Sequence, residues 1–153
     1  GVVEIFKMNI GLNKTKKSEL KELSKIYMDE FSKPPYNEVW KNSKALKKMK
    51  FFEEFYDLYS IKFEKEMVGF IVIDPNFMCP GEVAFGEEFA IKESFQNKGI
   101  GKNVLKMIME IYKKKGFKKV MGIADINSKA YGLYKKLGIL PSKNDVLVEK
   151  ILK

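Results

Sequence analysis

Histidine is absent from this 153-residue chain, and cysteine occurs only once, at position 79. Without histidine, the chain has no Ser-His-Asp or Cys-His catalytic group and no zinc site with histidine ligands. A lone cysteine excludes an internal disulfide and favours a cytoplasmic location. Any chemistry must therefore use carboxylates, tyrosine, lysine, serine, backbone amides or a cofactor.

Long apolar runs are absent as well. The longest, Val68–Ile73, is far shorter than the roughly 20 residues that cross a membrane, and no signal-peptide pattern opens the sequence. We therefore expect no membrane partner. This length, with 45% hydrophobic residues, suffices for one core, so we expect a single domain over residues 1–153.

Arginine is the third absence. All 29 basic residues are lysines, and with 20 acidic residues they give a net charge of +9. Such a charge suggests a polyanionic partner. Arginine supplies the bidentate contacts that read bases, however, so its absence weighs against specific nucleic-acid binding. A polyanionic small ligand fits the charge better, and a merely solvated lysine-rich surface is the alternative.

Hydrophobic spacing predicts an α/β fold with a mixed sheet. A hairpin turn is expected at residues 64–66, and Asn127 is expected to cap the last helix. The predicted helices cover residues 18–31, 39–49, 99–115 and 127–137, and the predicted strands cover residues 2–10, 55–63, 67–74, 82–91, 118–124 and 145–152.

Residues 89–102 contain the pattern that points to chemistry. A predicted strand ends, a short polar loop follows, and Gly99 and Gly101 open a helix. The first helical turn has free N–H groups and the positive end of the helix dipole, which attract phosphate. Glycine allows close approach to the backbone, and Lys98 and Lys102 add positive charge. The sequence therefore predicts a phosphate or pyrophosphate ligand.

Two other phosphate-binding loops do not fit this stretch. A Walker A loop requires glycine where Gln96 stands and serine or threonine where Asn103 stands. A dinucleotide fingerprint requires a third glycine where Val104 stands, and a position after the first strand. Glycines that serve loop geometry alone are the remaining alternative.

The spacing Gln96-x-x-Gly99-x-Gly101 resembles the pyrophosphate-binding signature Gln/Arg-x-x-Gly-x-Gly/Ala of the GNAT family of N-acetyltransferases. The run from 127 to 138 is similar to the second signature of that family, Asn-x-x-Ala-x-x-x-Tyr-x-x-x-Gly. The resemblance, firm over residues 82–140, implies the GNAT fold: a mixed, mostly antiparallel central sheet flanked by helices, with splayed fourth and fifth strands.

The resemblance implies acetyl-coenzyme A (acetyl-CoA) as the cofactor and an amine as the acceptor substrate. The main chain at the end of the fourth strand would pair with the pantetheine arm, and the loop after it would hold the pyrophosphate. Homodimers are common in the family, so a homodimer is compatible with the sequence, although no residue proves one. The implied cofactor-binding residues are Phe89, Ala90, Ile91, Gln96, Asn97, Lys98, Gly99, Ile100, Gly101, Lys102 and Asn127.

The implied reaction is direct attack of the amine on the thioester in a ternary complex. Tyr134 matches the family's tyrosine near the sulfur and would protonate the leaving thiolate; a core aromatic is the alternative. The amine, with a pKa of about 10.4, must first lose a proton, but Phe85 stands at the family's usual base position. We favour Glu87 over Glu88 as the base, because Glu87 shares the strand face of Phe85. Proton release through water is the alternative.

The segment between the first two predicted helices contains two prolines and an aromatic cluster. It resembles the acceptor wall of small-molecule acetyltransferases, including aminoglycoside-type enzymes. We expect Tyr36 and Trp40 to form an aromatic wall for a cationic amine; Trp40 as a core anchor is the alternative. Glu30, Glu38 and Asp57 are expected to attract that amine.

Three classes of function stay open at this point. The first is an acetyl-CoA-dependent N-acetyltransferase that acts on a primary amine of a small molecule or a protein. The second is a non-catalytic regulatory module that binds acyl-CoA. Both need the cofactor, and turnover with thiol release distinguishes them. The third is a basic nucleic-acid-binding protein, which would bind DNA or RNA with steep salt dependence and show no thermal shift with CoA.

Overall fold

A computed structural model describes residues 8–153. The strands are β1 (Ile10–Lys14), β2 (Asp57–Phe63), β3 (Glu66–Asp74), β4 (Val83–Ile91) and β5 (Lys119–Gly122), and the helices are α1 (Leu20–Phe31), α2 (Asn42–Phe55), α3 (Ile100–Lys114) and α4 (Lys129–Lys136). The strands form one sheet in chain order. Neighbouring strands are antiparallel, except that β4 and β5 are parallel.

β3 separates two hydrophobic clusters, one on each face of the sheet. Successive strand side chains point to opposite faces, so Phe70 and Val72 pack with α1 and α2, whereas Ile71 and Ile73 pack with α3. We call these the α1–α2 cluster and the α3 cluster. Because helices cover both faces, β3 is buried from Met67 to its end.

A β-bulge in β4 changes which residues face each side. Val72 lies opposite Glu88, and the next pair is Ile73 with Gly86, so Glu87 is skipped in the pairing of β3 with β4. Residues directly opposite each other in antiparallel strands face the same side of the sheet. Glu88 therefore faces the α1–α2 side with Val72, and the extra residue interrupts the alternation along β4.

β4 and β5 are paired over a short stretch, Val83–Gly86 with Lys119–Gly122. β4 then continues to Ile91 paired with β3 only. The N–H of Lys92 bonds to a β3 carbonyl at 2.8 Å. The backbone groups of Ile91 and Phe89, one and three residues earlier, therefore point away from β3, toward the gap. The predicted splay of the fourth and fifth strands is confirmed, and so is the fold class.

Apart from α2, the predicted helices and strands between residues 18 and 137 are found close to their expected bounds. The hairpin turn is confirmed: Glu64 and Lys65 have φ values of 50° and 71°, which suit the reversal of two strands. Gly116, with φ 90°, follows α3 in the left-handed conformation that commonly ends a helix. Among the described residues, no helix has the length and apolarity to span a bilayer.

Two element predictions are wrong. α2 continues to Phe55, beyond the predicted end at residue 49, because Phe52 continues the buried face begun by Ala45 and Met49. Residues 145–152 form no strand; they do not pair with β5, and their apolar side chains are 70–93% exposed. The predicted opening strand over residues 2–10 falls largely outside the described residues.

Candidate active site

A cavity of about 1160 Å³ opens where β4 leaves β5. Its wall combines the end of β4, the loop before α3, one face of α4 and the segment after α1. Lys98 and Ile100 are not in the wall: Lys98 lies over the Phe95 ring at 5.5 Å, and Ile100 is buried in the α3 cluster. The predicted cofactor-binding residues that line the cavity are Phe89, Ala90, Ile91, Gln96, Asn97, Gly99, Gly101, Lys102 and Asn127.

The start of α3 has free backbone donors. The first helical hydrogen bond runs from the N–H of Asn103 to the carbonyl of Gly99 at 3.1 Å, so the N–H groups of Ile100, Gly101 and Lys102 precede it. No side chain caps this helix, and Gly99 has a φ of 85°, a conformation that favours glycine. These donors can therefore bind a diphosphate.

Gly101 keeps the cavity open beside those donors. A Cβ at this position would lie 3.3 Å from Leu133 Cδ2, 3.5 Å from Ile91 Cδ1 and 3.5 Å from Phe89 Cζ. A larger side chain would have to extend from this crowded point into the cavity. The residues present therefore fit the predicted cofactor, whose diphosphate needs close contact with the backbone.

Gln96 joins the loop before α3 to α1. Its Nε2 donates to the carbonyl of Ile91 at 2.7 Å and to Glu30 Oε1 at 2.8 Å. Glu30 Oε2 in turn accepts from Lys33 Nζ at 3.0 Å, and Lys33 also contacts Glu93 at 3.1 Å. We call this set the Glu30 bridge. The Gln96 amide is thus committed to holding the loop, and its predicted contact with the pyrophosphate stays a prediction.

Asn127 lines the cavity but does not cap α4, so that part of the prediction is wrong. Ser128 is the cap: its hydroxyl accepts the N–H of Tyr131 at 3.1 Å. The backbone N–H of Asn127 donates to Asp125 Oδ1 at 2.7 Å, which leaves its side-chain amide at the cavity wall. The cap therefore lies one residue after the position predicted from sequence, and the predicted role of Asn127 in cofactor binding stays a prediction.

Glu88 lies among three tyrosines, which we call the tyrosine cluster: Tyr27, Tyr36 and Tyr134. The hydroxyl of Tyr27 donates to Glu88 Oε1 at 3.3 Å. Burial, with a contribution from the charge of Glu88, raises the pKa of both Tyr36 and Tyr134. Burial also raises the pKa of Glu88 to about 7, although Lys48 and the bond from Tyr27 act to lower it. A carboxyl group that titrates near neutrality therefore lies beside Tyr36, which lines the cavity.

Tyr134 packs its ring against the α3 cluster. Burial raises its pKa to about 12, and the charges of Tyr36 and Glu88 act in the same direction. The hydroxyl thus keeps its proton at physiological pH, as a proton donor must. The role of Tyr134 in catalysis stays a prediction.

Glu87, the base favoured from the sequence, shares the influence of Lys48 with Glu88 but not the contact with Tyr27. Burial raises the pKa of Glu87, Asp74 raises it further and Lys48 lowers it. Its charge also raises the pKa of Tyr56, after the larger effect of burial. The groups that act on Tyr134 include Glu88 but not Glu87. The structure thus brings Glu88 to the tyrosine cluster, and Glu87 as the base stays a prediction.

The expected acceptor wall is only partly assembled at the cavity. Tyr36 lines it, whereas Trp40 packs edge-on against Tyr27, with ring centres 4.8 Å apart, in the α1–α2 cluster. Contact of Trp40 with the acceptor stays a prediction. Asp57 was expected to attract the amine, and this is wrong: it accepts from the Tyr112 hydroxyl at 2.5 Å, against the α3 cluster.

The residues of α4 that line the cavity were not predicted from the sequence. Ala130, Leu133 and Lys136 line it, and they are three residues apart, so they lie on one face of the helix. That spacing was readable in the run from 127 to 138. The contact of Lys33 with Glu93 carried no such signal, because the two residues are 60 positions apart in the chain.

Family comparison decides what kind of protein this cavity belongs to. The model of the Acetyltransferase (GNAT) family matches residues 20–139, which is most of the chain. This chain belongs to the GNAT family. The predicted resemblance is thereby confirmed, and family membership supports acetyl-CoA as the cofactor of this GNAT protein.

Solved structures share the fold of this GNAT protein at low sequence identity. A possible acetyltransferase from Clostridium difficile 630 has a TM-score of 0.78 at 12% identity, covering 96% of this chain and 100% of its own. An aminoglycoside N-acetyltransferase in complex with CoA has 0.71 at 13%, covering 97% and 99%. A transcriptional regulator from Bacillus halodurans C-125 has 0.72 at 15%, covering 94% and 100%. No curated protein sequence matches this chain significantly.

Proposed function

We propose that this protein is an acetyl-CoA-dependent N-acetyltransferase that acetylates a primary amine by direct attack in a ternary complex. One observation carries the proposal. A single cavity reaches from the free N–H groups at the start of α3 to Tyr36, in the tyrosine cluster around Glu88. One end suits a diphosphate, and the other end suits an amine and its proton.

The chain's own residues would hold the cofactor in three places. The N–H groups of Ile100, Gly101 and Lys102 would bind the diphosphate. The backbone of Phe89 would pair with the pantetheine arm, since it points into the gap left by β5. The Asn127 amide, free of the helix cap, would bond to the end of that arm. When bound, acetyl-CoA supplies the acetyl group as a thioester.

Two further groups would act at the reacting end. The N–H of Ile91 points into the gap, where it can donate to a carbonyl oxygen that gains negative charge. The hydroxyl of Tyr134 would donate its proton to the leaving sulfur. The amine must lose its own proton to a base, and the two glutamates of β4 are the candidates for that role.

The structure favours the enzyme over a module that binds acyl-CoA without turnover. Both would use the start of α3. Only the enzyme needs a carboxyl group that titrates near neutrality close to an amine site. The pKa of Glu88, raised to about 7 by burial, supports this reading, because the charge of Glu88 also acts on Tyr36 at the cavity wall.

The test has two steps. First, CoA and acetyl-CoA should raise the melting temperature, because they bind the folded state. Second, an acceptor screen that detects thiol release should find turnover among polyamines, aminoglycosides, amino acids and peptide N-termini. No thermal shift with millimolar CoA would reject the cofactor, whereas a shift without turnover on any amine would favour the regulatory module.

A further inference from the structure

We infer that residues 145–152 of one chain add as a strand to the free edge of β5 in a second copy of this chain, so that the protein forms a dimer by reciprocal strand exchange. Two features of the molecule point to this dimer: an apolar segment that has no sheet, and a sheet edge that has no partner strand. The inference goes beyond the proposed function and does not depend on it.

The segment over residues 145–152 is apolar and exposed. Single exposed apolar residues are normal on a protein surface, but a contiguous run of them indicates a binding surface. All residues from 140 to 153 are exposed, and within residues 8–153 no backbone hydrogen bond joins this stretch to the rest of the protein. The large apolar side chains of the segment, which are 70–93% exposed, are Val146, Leu147, Val148, Ile151 and Leu152.

Both faces of such a strand would be apolar. Side chains alternate along a strand, so Val146, Val148 and Leu152 would lie on one face, and Leu147 and Ile151 on the other. A strand with two apolar faces is typical of a position inside a sheet that is covered on both sides, as β3 is here. A tail that rests on the surface needs only one apolar face, so the pattern favours pairing within a sheet.

The free edge of β5 offers such a position. β5 is the last strand of the sheet, and among residues 8–153 it pairs only with β4. The backbone N–H and C=O groups along its other side are therefore open to a further strand. Ile123 and Ile126, which are 63% and 78% exposed, follow β5 directly in the chain and add apolar surface next to this edge.

A second copy of this chain satisfies both features at once. Within one copy, residues 145–152 do not pair with β5. In a two-fold dimer each copy gives one segment and receives another, so the assembly is closed and leaves neither feature free. A different protein on the edge of β5 would leave the segment exposed, and a different protein on the segment would leave the edge open.

The distribution of charge favours the same contact. The segment contains two carboxylates, Asp145 and Glu149, and one ammonium group, Lys150, in a chain whose net charge is +9. Lys119 on β5 forms no ion pair within residues 8–153. The acidic segment therefore meets a basic strand, and this reduces the repulsion between two basic chains at the place where they join.

The exchange would also support one wall of the cavity. α4 lines that wall and has no fully buried residue. Its residues Leu133, Tyr134 and Leu137 are only partly buried against the α3 cluster, and so is Val120 of β5. A strand added next to β5 would extend the α3 cluster and give α4 a larger surface to pack on.

The mass of the protein in solution tests whether copies associate through this segment. Size-exclusion chromatography with light scattering should give twice the chain mass of 17.7 kDa. Val148→Lys puts a charge into the segment and should reduce the mass to that of one chain. Val39→Lys is the matched control, because this valine is 95% exposed and lies before α2, and the dimer should persist. A wild-type monomer, or a dimer that survives Val148→Lys, would overturn the inference.

Hydrogen exchange in the wild-type protein tests the pairing without any variant. Mass spectrometry should show slow exchange of the amides over residues 145–152, because a paired strand protects its N–H groups. Residues 140–144, which lead to the segment and are outside the proposed strand, should exchange fast and serve as the internal control. Equally fast exchange over both stretches would overturn the inference.

A cross-link between two chains tests which copy supplies the strand. In a Cys79→Ser background, Leu147→Cys in one chain and Lys119→Cys in a second, differently tagged chain should give a covalent heterodimer with a short thiol-reactive linker after co-expression. In the control, Phe51→Cys on α2 replaces Lys119→Cys, and little heterodimer should form. Equal yields from the two pairs, or none from either, would overturn the inference. These readouts involve neither CoA nor an amine, so their outcome is separate from that of the proposed function.

Discussion

The two ends of the cavity are built from different parts of the chain. The cofactor end uses backbone N–H groups at the start of α3 and the edge of β4, all within residues 89–102. The acceptor end uses side chains from α1, β4 and α4, brought together by tertiary packing. Changes at the first end should therefore act on cofactor affinity, and changes at the second on turnover.

The largest expected effect is a loss of turnover from a change at the acceptor end. Tyr134→Phe removes the hydroxyl that would protonate the leaving sulfur, so kcat should fall about 10²-fold or more, with CoA affinity unchanged. Tyr131→Phe is the control, because it lies on the same helix with its ring against Lys135 Nζ, 4.5 Å from the ring centre, and is not part of the tyrosine cluster. Steady-state kinetics with calorimetry measures both, and full turnover in Tyr134→Phe would remove this residue from the mechanism.

The next effect belongs to the cofactor end. Gly101→Leu should weaken CoA binding about 10- to 100-fold, since overpacking costs about 1–3 kcal/mol and a Cβ there already lies 3.3 Å from Leu133. Gly11→Leu is the control, because it lies on β1, where a Cβ has ordinary contacts at 3.6 Å and beyond. Calorimetry should show normal binding in the control; normal binding in both variants would mean that the diphosphate binds elsewhere.

A smaller effect on CoA affinity is expected from the Glu30 bridge, which connects α1 to the loop before α3. Glu30→Ala removes the acceptor of one Gln96 bond and the partner of Lys33. We expect CoA affinity to fall about five- to ten-fold, equivalent to roughly 1 kcal/mol for a lost hydrogen bond. Asp29→Ala, on the exposed side of the same helix, should leave it unchanged. Equal affinity in both variants would show that the bridge does not support the loop.

The smallest effect concerns folding. Ser128→Ala removes the cap of α4 and should lower the free energy of unfolding by about 1 kcal/mol, as measured by urea denaturation. Asn127→Ala should cost little stability but weaken CoA binding. The reverse pattern would restore Asn127 as the cap.

The cofactor end was largely predictable from sequence, because its signals are local. Two glycines after a strand, at the spacing of Gln96, Gly99 and Gly101, fix the start of a helix and the ligand it suits.

The acceptor end depends on the bulge in β4. Strict alternation placed Glu87 on one face with Phe85 and Phe89. The residue skipped at Glu87 separates those two: Phe85 pairs with Asp74, on the α1–α2 side, and Phe89 pairs with Ile71, on the α3 side. No local sequence pattern predicts such an insertion.

Other differences have similar causes. The N-cap of α4 is Ser128 and not the predicted Asn127. Asparagine and serine are both favoured at the N-cap, so residue type alone does not distinguish the two positions. Residues 145–152 have the composition of a strand, yet a strand forms only where a partner edge pairs with it. Apolar pattern alone does not supply that partner.

The central claim is that the amides at the start of α3 bind the diphosphate of acetyl-CoA. Amide chemical shifts, followed by NMR while CoA is added to the ¹⁵N-labelled protein, test it most directly. The account predicts that the largest changes occur at Gly99, Ile100, Gly101 and Lys102. Largest changes at another basic surface, such as Lys44 and Lys47 of α2, with these four amides unmoved, would contradict it.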